Sequence, residues 1–417
     1  MYKLNHHDYY RLPWNLTDNS ISWLEPTAKC NLSCDGCYRQ NENDSHKSLE
    51  TIREELDLFM SMRKCDGVSI AGGDPLTHPN VVDIVKMVKD RGLKPILNTN
   101  GLALTKELLL ELKKAGVYGF TFHIDSKQGR PGWKNKNEVE LNELRLKYAN
   151  MISEAGNISC AFNSTVYEDT MQYIPELVKW AEDNIDKVQV MVFIIYRAVD
   201  NQKMDFYLGP KKIEMNQLVY NEEEQERTDI QANEVYELIK NKFPDFDSCA
   251  YLNGSEKPDS FKWLLTGRLG RRGKIYGYMG RKSMEIIQMF HHLLFDRYLA
   301  YSSPSLTSKG KSMLLLSAFD KKLRKGFFNY FKNPLNLFRE LHYQSVMIIQ
   351  PVDFLEDGRQ NMCDGCPDIT VWNGQLVWSC RMEELINFGD WVRAVPANGD
   401  ANSSKPEEHP SATSGKP

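Results

Sequence analysis

The chain has 417 residues, 41% of them hydrophobic and 26% charged, with 52 Lys and Arg against 56 Asp and Glu for a net charge of −4. That length predicts two to three domains, and the composition is that of an ordinary globular protein rather than a disordered or fibrous one. The longest apolar run, Val190 to Ile195, is too short to cross a bilayer, no signal-like start opens the chain, and nine scattered cysteines do not form the dense, paired framework of a small secreted protein; a cytosolic protein is expected.

The first two hundred residues alternate strand and helix. Ile21 to Thr27 reads as a strand that runs straight into "CNLSCDGCYR", a loop with Cys30, Cys34 and Cys37. Leu49, Ile52, Leu56, Phe59 and Met60 then recur on a helical period, with Ser48 placed to cap it. Strands follow at "GVSIAGG", "KPILNTNG", "VYGFTFHID", "ISCAFNSTV" and "KVQVMVFIIY", separated by helical stretches that include residues 138–154 and 170–184. Six strand–helix steps predict an α/β fold with a parallel sheet, since each parallel pairing needs a crossover. A partial (β/α)6 TIM-like barrel and an open doubly wound sheet both fit. Either one gathers functional residues at the C-terminal ends of its strands, and the polar oddities stand there: the cysteine loop, "GGDP", "NTNG" and "HIDS".

Beyond residue 200 the pattern changes. Residues 211–260 are polar and partly acidic, and Phe261 to Ser345 carries 16 Lys and Arg against 4 Asp and Glu. The latter stretch is read as mostly helical, with Ile286, Ile287, Phe290, Leu293, Leu294 and Tyr298 on one stripe. Near the end, Cys363, Cys366 and Cys380 form a second set; between the last two, Asn373-Gly374 separates two β-rich runs, the strongest short signal for a hairpin. The expected domains are an N-terminal extension (1–20), a core barrel (21–200), a basic helical substrate or lid region (201–360), a hairpin cluster domain (361–390) and a disordered tail (391–417).

Closed thiolate sites for zinc or iron–sulfur clusters normally use four ligands. Three thiolates on a cubane leave one iron open. The C-x3-C-x2-C spacing after a first strand, with Tyr38 behind the third cysteine, resembles the signature loop of the radical S-adenosylmethionine (radical SAM) enzymes. A zinc knuckle or three buried cysteines are the plainer alternatives. The resemblance implies a [4Fe–4S] cluster on Cys30, Cys34 and Cys37 whose open iron chelates S-adenosylmethionine, which is reductively cleaved to a 5′-deoxyadenosyl radical. It also implies cofactor contacts from Tyr38, from Gly72, Gly73, Asp74 and Pro75, where Asp74 replaces the family's glutamate, and from Ser126, Asn163 and Arg197. His123 and Asp125, on one strand face, are catalytic candidates.

The second set, C-x2-C-x13-C, resembles the twitch/SPASM-like auxiliary-cluster domains of the same superfamily, with a spacing like that of the GTP cyclase of molybdopterin biosynthesis. This implies a second [4Fe–4S] cluster on Cys363, Cys366 and Cys380, with Cys249 as one candidate for a fourth ligand and structural zinc as the alternative. Only about twenty residues precede the first strand, so no cobalamin-binding or leader-peptide domain is expected there. The substrate expected from the basic, aromatic-rich stretch is a hydrophobic, anionic small molecule (lipid, isoprenoid or tetrapyrrole), or else that stretch rests on an anionic membrane. A reductant such as flavodoxin or ferredoxin is the expected partner, and nucleic acid is not. A peptide-maturing enzyme and an iron–sulfur electron-transfer or regulatory protein are the other readings.

Overall fold

The computed structural model describes residues 4–198, 204–215, 227–302 and 304–397. Its first half alternates β1 (Ile21–Leu24), α1 (Leu49–Met62), β2 (Gly67–Ile70), α2 (Val81–Asp90), β3 (Lys94–Thr99), α3 (Lys106–Ala115), β4 (Gly119–His123), α4 (Asn142–Ala155), β5 (Ser159–Val166), α5 (Ile174–Asp183) and β6 (Val190–Ile195). Local chemistry sets the boundaries. The Ser48 hydroxyl accepts from the Thr51 amide to start α1, and Gly116 closes α3 in the left-handed region at φ 98°, where a Cβ is penalised. Ile52, Leu56 and Phe59 of α1 and Val81, Ile84, Val85 and Val88 of α2 are fully buried or nearly so and form the apolar layer between helices and sheet.

Strands β1 to β6 pair in sequence, all parallel. The region expected to be a mostly helical insert departs from that reading. After α6 (Ala232–Lys242) it supplies β7 (Ala250–Asn253), β8 (Phe261–Arg271), β9 (Lys274–Tyr278), α7 (Arg281–Phe295), α8 (Lys321–Phe331) and β10 (His342–Ile349). Strand β10 pairs parallel to β6, and β8 lies antiparallel to it, flanked by β7 and β9. The sheet therefore continues past residue 200 to eleven strands, the outermost being Tyr10–Arg11. Strand β8 escapes a periodicity reading because nine of its eleven residues are buried; a strand covered on both faces shows no alternation.

The Asn-Gly hairpin forms as expected, with β11 (Ile369–Trp372) and β12 (Gln375–Trp378) paired across Asn373 and Gly374, both at positive φ. It lies against β1 at the open edge of the sheet. The end of the chain differs from the expected disordered tail: β13 (Arg393–Pro396) pairs with Met204–Leu208. Residues 398–417 lie outside the described residues. Among the described residues no helix is long and apolar enough to cross a membrane.

Helix α8 crosses β9 with Gly326 against Gly277, and a Cβ built on Gly277 would collide with the Gly326 backbone. A Gly277→Ala substitution should therefore lower stability by about 1–3 kcal/mol through overpacking, read as a shift in the denaturation midpoint, whereas alanine at Gly374, which has open space around it, should cost only the strain of its positive φ.

Candidate functional site

Strand ends build the first half of the site. The loop after β1 carries Cys30, Cys34 and Cys37, all reduced and partly buried. The Cys30 amide donates to the Asn41 side chain at 2.9 Å, and Asn100, from the end of β3, lies with its amide 3.7 Å from the Cys30 sulfur. Burial pushes the Cys34 thiol well up, and the charges of Asp125, Cys37 and Cys30 add to it while Arg130 opposes them. Cys30, Cys37, Asp125 and the Arg130 cation thus all lie near enough to act on the Cys34 thiol, beyond the C-terminal ends of β1 and β4. Among the described residues no three His, Cys, Asp or Glu side chains converge as on a single metal ion; a polynuclear cluster instead takes each thiolate on a separate iron.

The "GGDP" turn after β2 braces this loop. A Cβ on Gly72 would strike the Thr27 carbonyl, and one on Gly73 the carbonyls of Ala28 and Lys29, so the glycines admit the cysteine loop's own backbone. Asp74 is buried and accepts from the Leu76 amide at 2.9 Å, the Asn100 amide at 2.8 Å and the Thr99 hydroxyl at 2.8 and 2.9 Å. Both oxygens are engaged by protein donors, so in this conformation the shorter acid ties β2 to β3. Pro75 is buried at the first position of the following turn, Pro75–Thr77.

The other predicted residues divide. His123 Nε2 lies 3.0 Å from Asp125 and 2.9 Å from the Thr165 hydroxyl. Burial raises the Asp125 carboxyl, but the bonds from His123, Thr165 and the Lys127 amide together hold it below the usual range. This pair adjoins Cys34. The Ser126 amide donates to Glu138 at 2.6 Å. Arg197 is instead spent on Asp353, at 2.7 Å, and on the carbonyls of Tyr196 and Ile230; it pairs with a carboxylate, but with one of the chain's own. Tyr38 is turned inward toward Glu25 and Ser379, and its hydroxyl is raised by burial.

The second set occupies the seam between β1 and β8. Cys363 bridges to Gly254 beyond β7, and the carbonyls of Gly365 and Cys366 accept from Asn19. The hydrogen bond between Cys363 and Cys366 lowers the first thiol and raises the second well up, while burial pushes Cys380 up to about 12. Asp368 acts on all three thiols, and burial raises its own carboxyl to about 7. Cys249 is elsewhere: its thiol donates to the Leu265 carbonyl, among the charges of Lys322, Asp320 and Asp247. Sequence reasoning missed Asp368, whose only signal was an acid two residues after "CDGC".

Inside the sheet lies a cavity of about 180 Å³, whose lining includes none of the six clustered cysteines. Inward positions at both ends of the sheet line it (Trp23, Asn98 and Asn163 on one side, Trp263, Met347 and Ile349 on the other), so the sheet curls around it. Trp23 Nε1, Asn98 Nδ2 and Asn163 Oδ1 are buried without partners. Asp368 reaches the same space, and Tyr301 closes the far end beside Thr121, with its carbonyl held by Lys94 at 2.9 Å.

Residues 24–181 match the model of the Radical SAM superfamily. The chain carries a radical SAM domain. The superfamily implies a [4Fe–4S] cluster and S-adenosylmethionine, and its members act on substrates with electrons from a reductant. An AdoMet-dependent heme synthase of Methanosarcina barkeri is 38% identical over 108 residues, 25% of this chain and 30% of that protein. A probable GTP 3′,8-cyclase of Methanococcus maripaludis is 33% identical over 178 residues, 41% of this chain and 58% of that one. The chain thus spans only about a third to just over half of these relatives. Streptococcus suis SuiB bound to S-adenosylmethionine aligns with TM-score 0.39 and 15% identity, over 54% of this chain and 47% of that structure.

Two predictions follow from the buried charges beside the cysteines. Arg39 is buried between Glu25 (2.6 Å) and Glu383 (3.3 Å); Arg39→Met should cost about 3–5 kcal/mol by leaving buried carboxylates unpaired, and Arg39→Lys should not restore it, because lysine cannot make the forked contact. For Asp368 the folded value lies above the unfolded one, so the native state binds the extra proton between pH 4 and 7 and loses stability as pH rises through that window. The apo Asp368→Asn variant should gain stability relative to the parent from pH 4 to 7 and show a constant difference above, in denaturation midpoints across pH.

Proposed function

We propose that this chain is a radical SAM enzyme that modifies an unactivated C–H or C=C position of a hydrophobic small molecule held inside its curled sheet. The observation that carries the reading is the sheet's chamber, lined by apolar side chains with a few orphaned amide and indole groups and reached by Asp368, two residues after Cys366. Cys30, Cys34 and Cys37 fit a cluster by donor chemistry, and Cys363, Cys366 and Cys380 fit a second, with Asp368 better placed than Cys249 as a further donor. When bound, the first cluster with S-adenosylmethionine supplies one-electron reductive cleavage to a 5′-deoxyadenosyl radical.

The chain's own residues do the rest. Asn98 and Asn163 offer a donor and an acceptor that a substrate or cofactor edge would satisfy, since a buried amide left unpaired costs about 1–3 kcal/mol. Tyr301 and the flanking apolar groups exclude water. The cavity lining contains no Lys or Arg, and its one charged group is the acid Asp368, so any anionic group of the substrate stays outside. Basic residues of the 261–345 stretch are drawn into other pairs: Lys262 with Asp353, Arg272 with Asp186 and Lys322 with Asp247.

After anaerobic reconstitution, the chain with S-adenosylmethionine and dithionite should yield 5′-deoxyadenosine. Cys34→Ala should abolish it, whereas Cys65→Ala and Cys160→Ala should retain it. No product from protein with an intact cluster spectrum would sink the proposal.

A further inference from the structure

The excursion between β9 and β10 caps the N-terminal ends of the parallel strands, opposite the first cysteine loop. His292 bonds Asp18 at 2.6 Å, Asp296 pairs with Lys64 at 2.7 Å, and the Ala300 amide donates to Asp66 at 3.0 Å; all three partners stand just before β1 or β2. Gly310 joins the same end through the Leu341 carbonyl, immediately ahead of β10.

This cap is apolar on two sides. Inside, Met284, Ile287, Leu299 and Tyr301 line the chamber. Outside, it carries 11 of the 16 large hydrophobic side chains exposed among the described residues, including Leu293 at 79%, Leu315 at 78% and Phe338 at 89% exposure. The stripe read from the sequence thus divides: Ile287 lines the chamber and Tyr298 is buried, whereas Phe290, Leu293 and Leu294 face outward. So dense a set marks an interaction surface rather than scattered surface apolarity.

Charge selects the occupant. Residues 281–341 hold 11 Lys and Arg against 4 Asp and Glu. Lys282, Lys309, Lys321, Lys332 and Arg339 are exposed with no ion-pair partner among the described residues, interleaved with Phe319, Phe328, Leu335 and Phe338. Two copies of so cationic a face would repel one another, whereas anionic headgroups complement the lysines and the acyl boundary takes the phenylalanines and leucines.

We propose that this end of the molecule docks peripherally on an anionic lipid surface, setting the chamber floor against the bilayer. Docking does not depend on the radical reading, because the cap contains none of the cysteines.

The full chain should co-sediment with phosphatidylglycerol/phosphatidylcholine vesicles at low salt and release as salt rises, with little binding to phosphatidylcholine alone. Lys321→Glu and Lys332→Glu should each weaken binding at least about fivefold, the equivalent of about 1 kcal/mol per lysine. The Leu293→Asp/Phe338→Asp pair should weaken it at least tenfold while 5′-deoxyadenosine formation in buffer stays unchanged, which separates this claim from the enzyme assay. Equal binding to both vesicle types, no binding at low salt, or a solution dimer that the Leu293→Asp/Phe338→Asp pair dissociates would overturn it.

Discussion

Arg39 follows the first cysteine loop by two residues and is buried against Glu25 at the end of β1 and Glu383 in the last helix, with a further bond to the Ser379 carbonyl at 3.2 Å. Ser379, next to Cys380, returns a hydroxyl bond to Glu25 at 2.8 Å. Taking a guanidinium out of water is tolerable only when its carboxylates arrive with it. Two loops some 340 residues apart in sequence are therefore joined through one buried cation, and the placement of one cysteine set relative to the other rests on that contact.

The chamber's chemistry follows from where the charge went. The sheet puts alternate side chains inward, and those positions hold apolar groups, hydroxyls and amides, while Lys262, Arg272 and Lys322 of the same region find carboxylates outside. Asp353 illustrates the economy of this arrangement. Burial raises it, but Lys262 and Arg197 together hold it below the usual carboxylate range, closing the top of β8 against the loop after β6 without placing a charge inside.

Much of the parallel wall was legible because each helix there shows a one-sided apolar period and each strand ends in a polar turn. The cysteine loop was legible by spacing and the hairpin by Asn373-Gly374. What could not be read were relations across distance. Arg197 looks like a free strand-end cation until Asp353, 156 positions on, is seen beside it. Asp74 looks like a ligand group until Thr99 and Asn100 are found occupying it. Asp368 is an ordinary acid in sequence and becomes conspicuous only when three thiols and a cavity surround it. Strand β8 was hidden by burial on both faces.

The cap and the first cysteine loop stand at opposite poles of the parallel wall. On the proposed reading, a molecule seated by its cap would receive electrons at the cysteine loop from the aqueous side and an apolar substrate at the floor around Tyr301 from the lipid side. A donor protein and a substrate would then never compete for one entrance, and the sheet itself would serve as the partition between a wet supply and a greasy one.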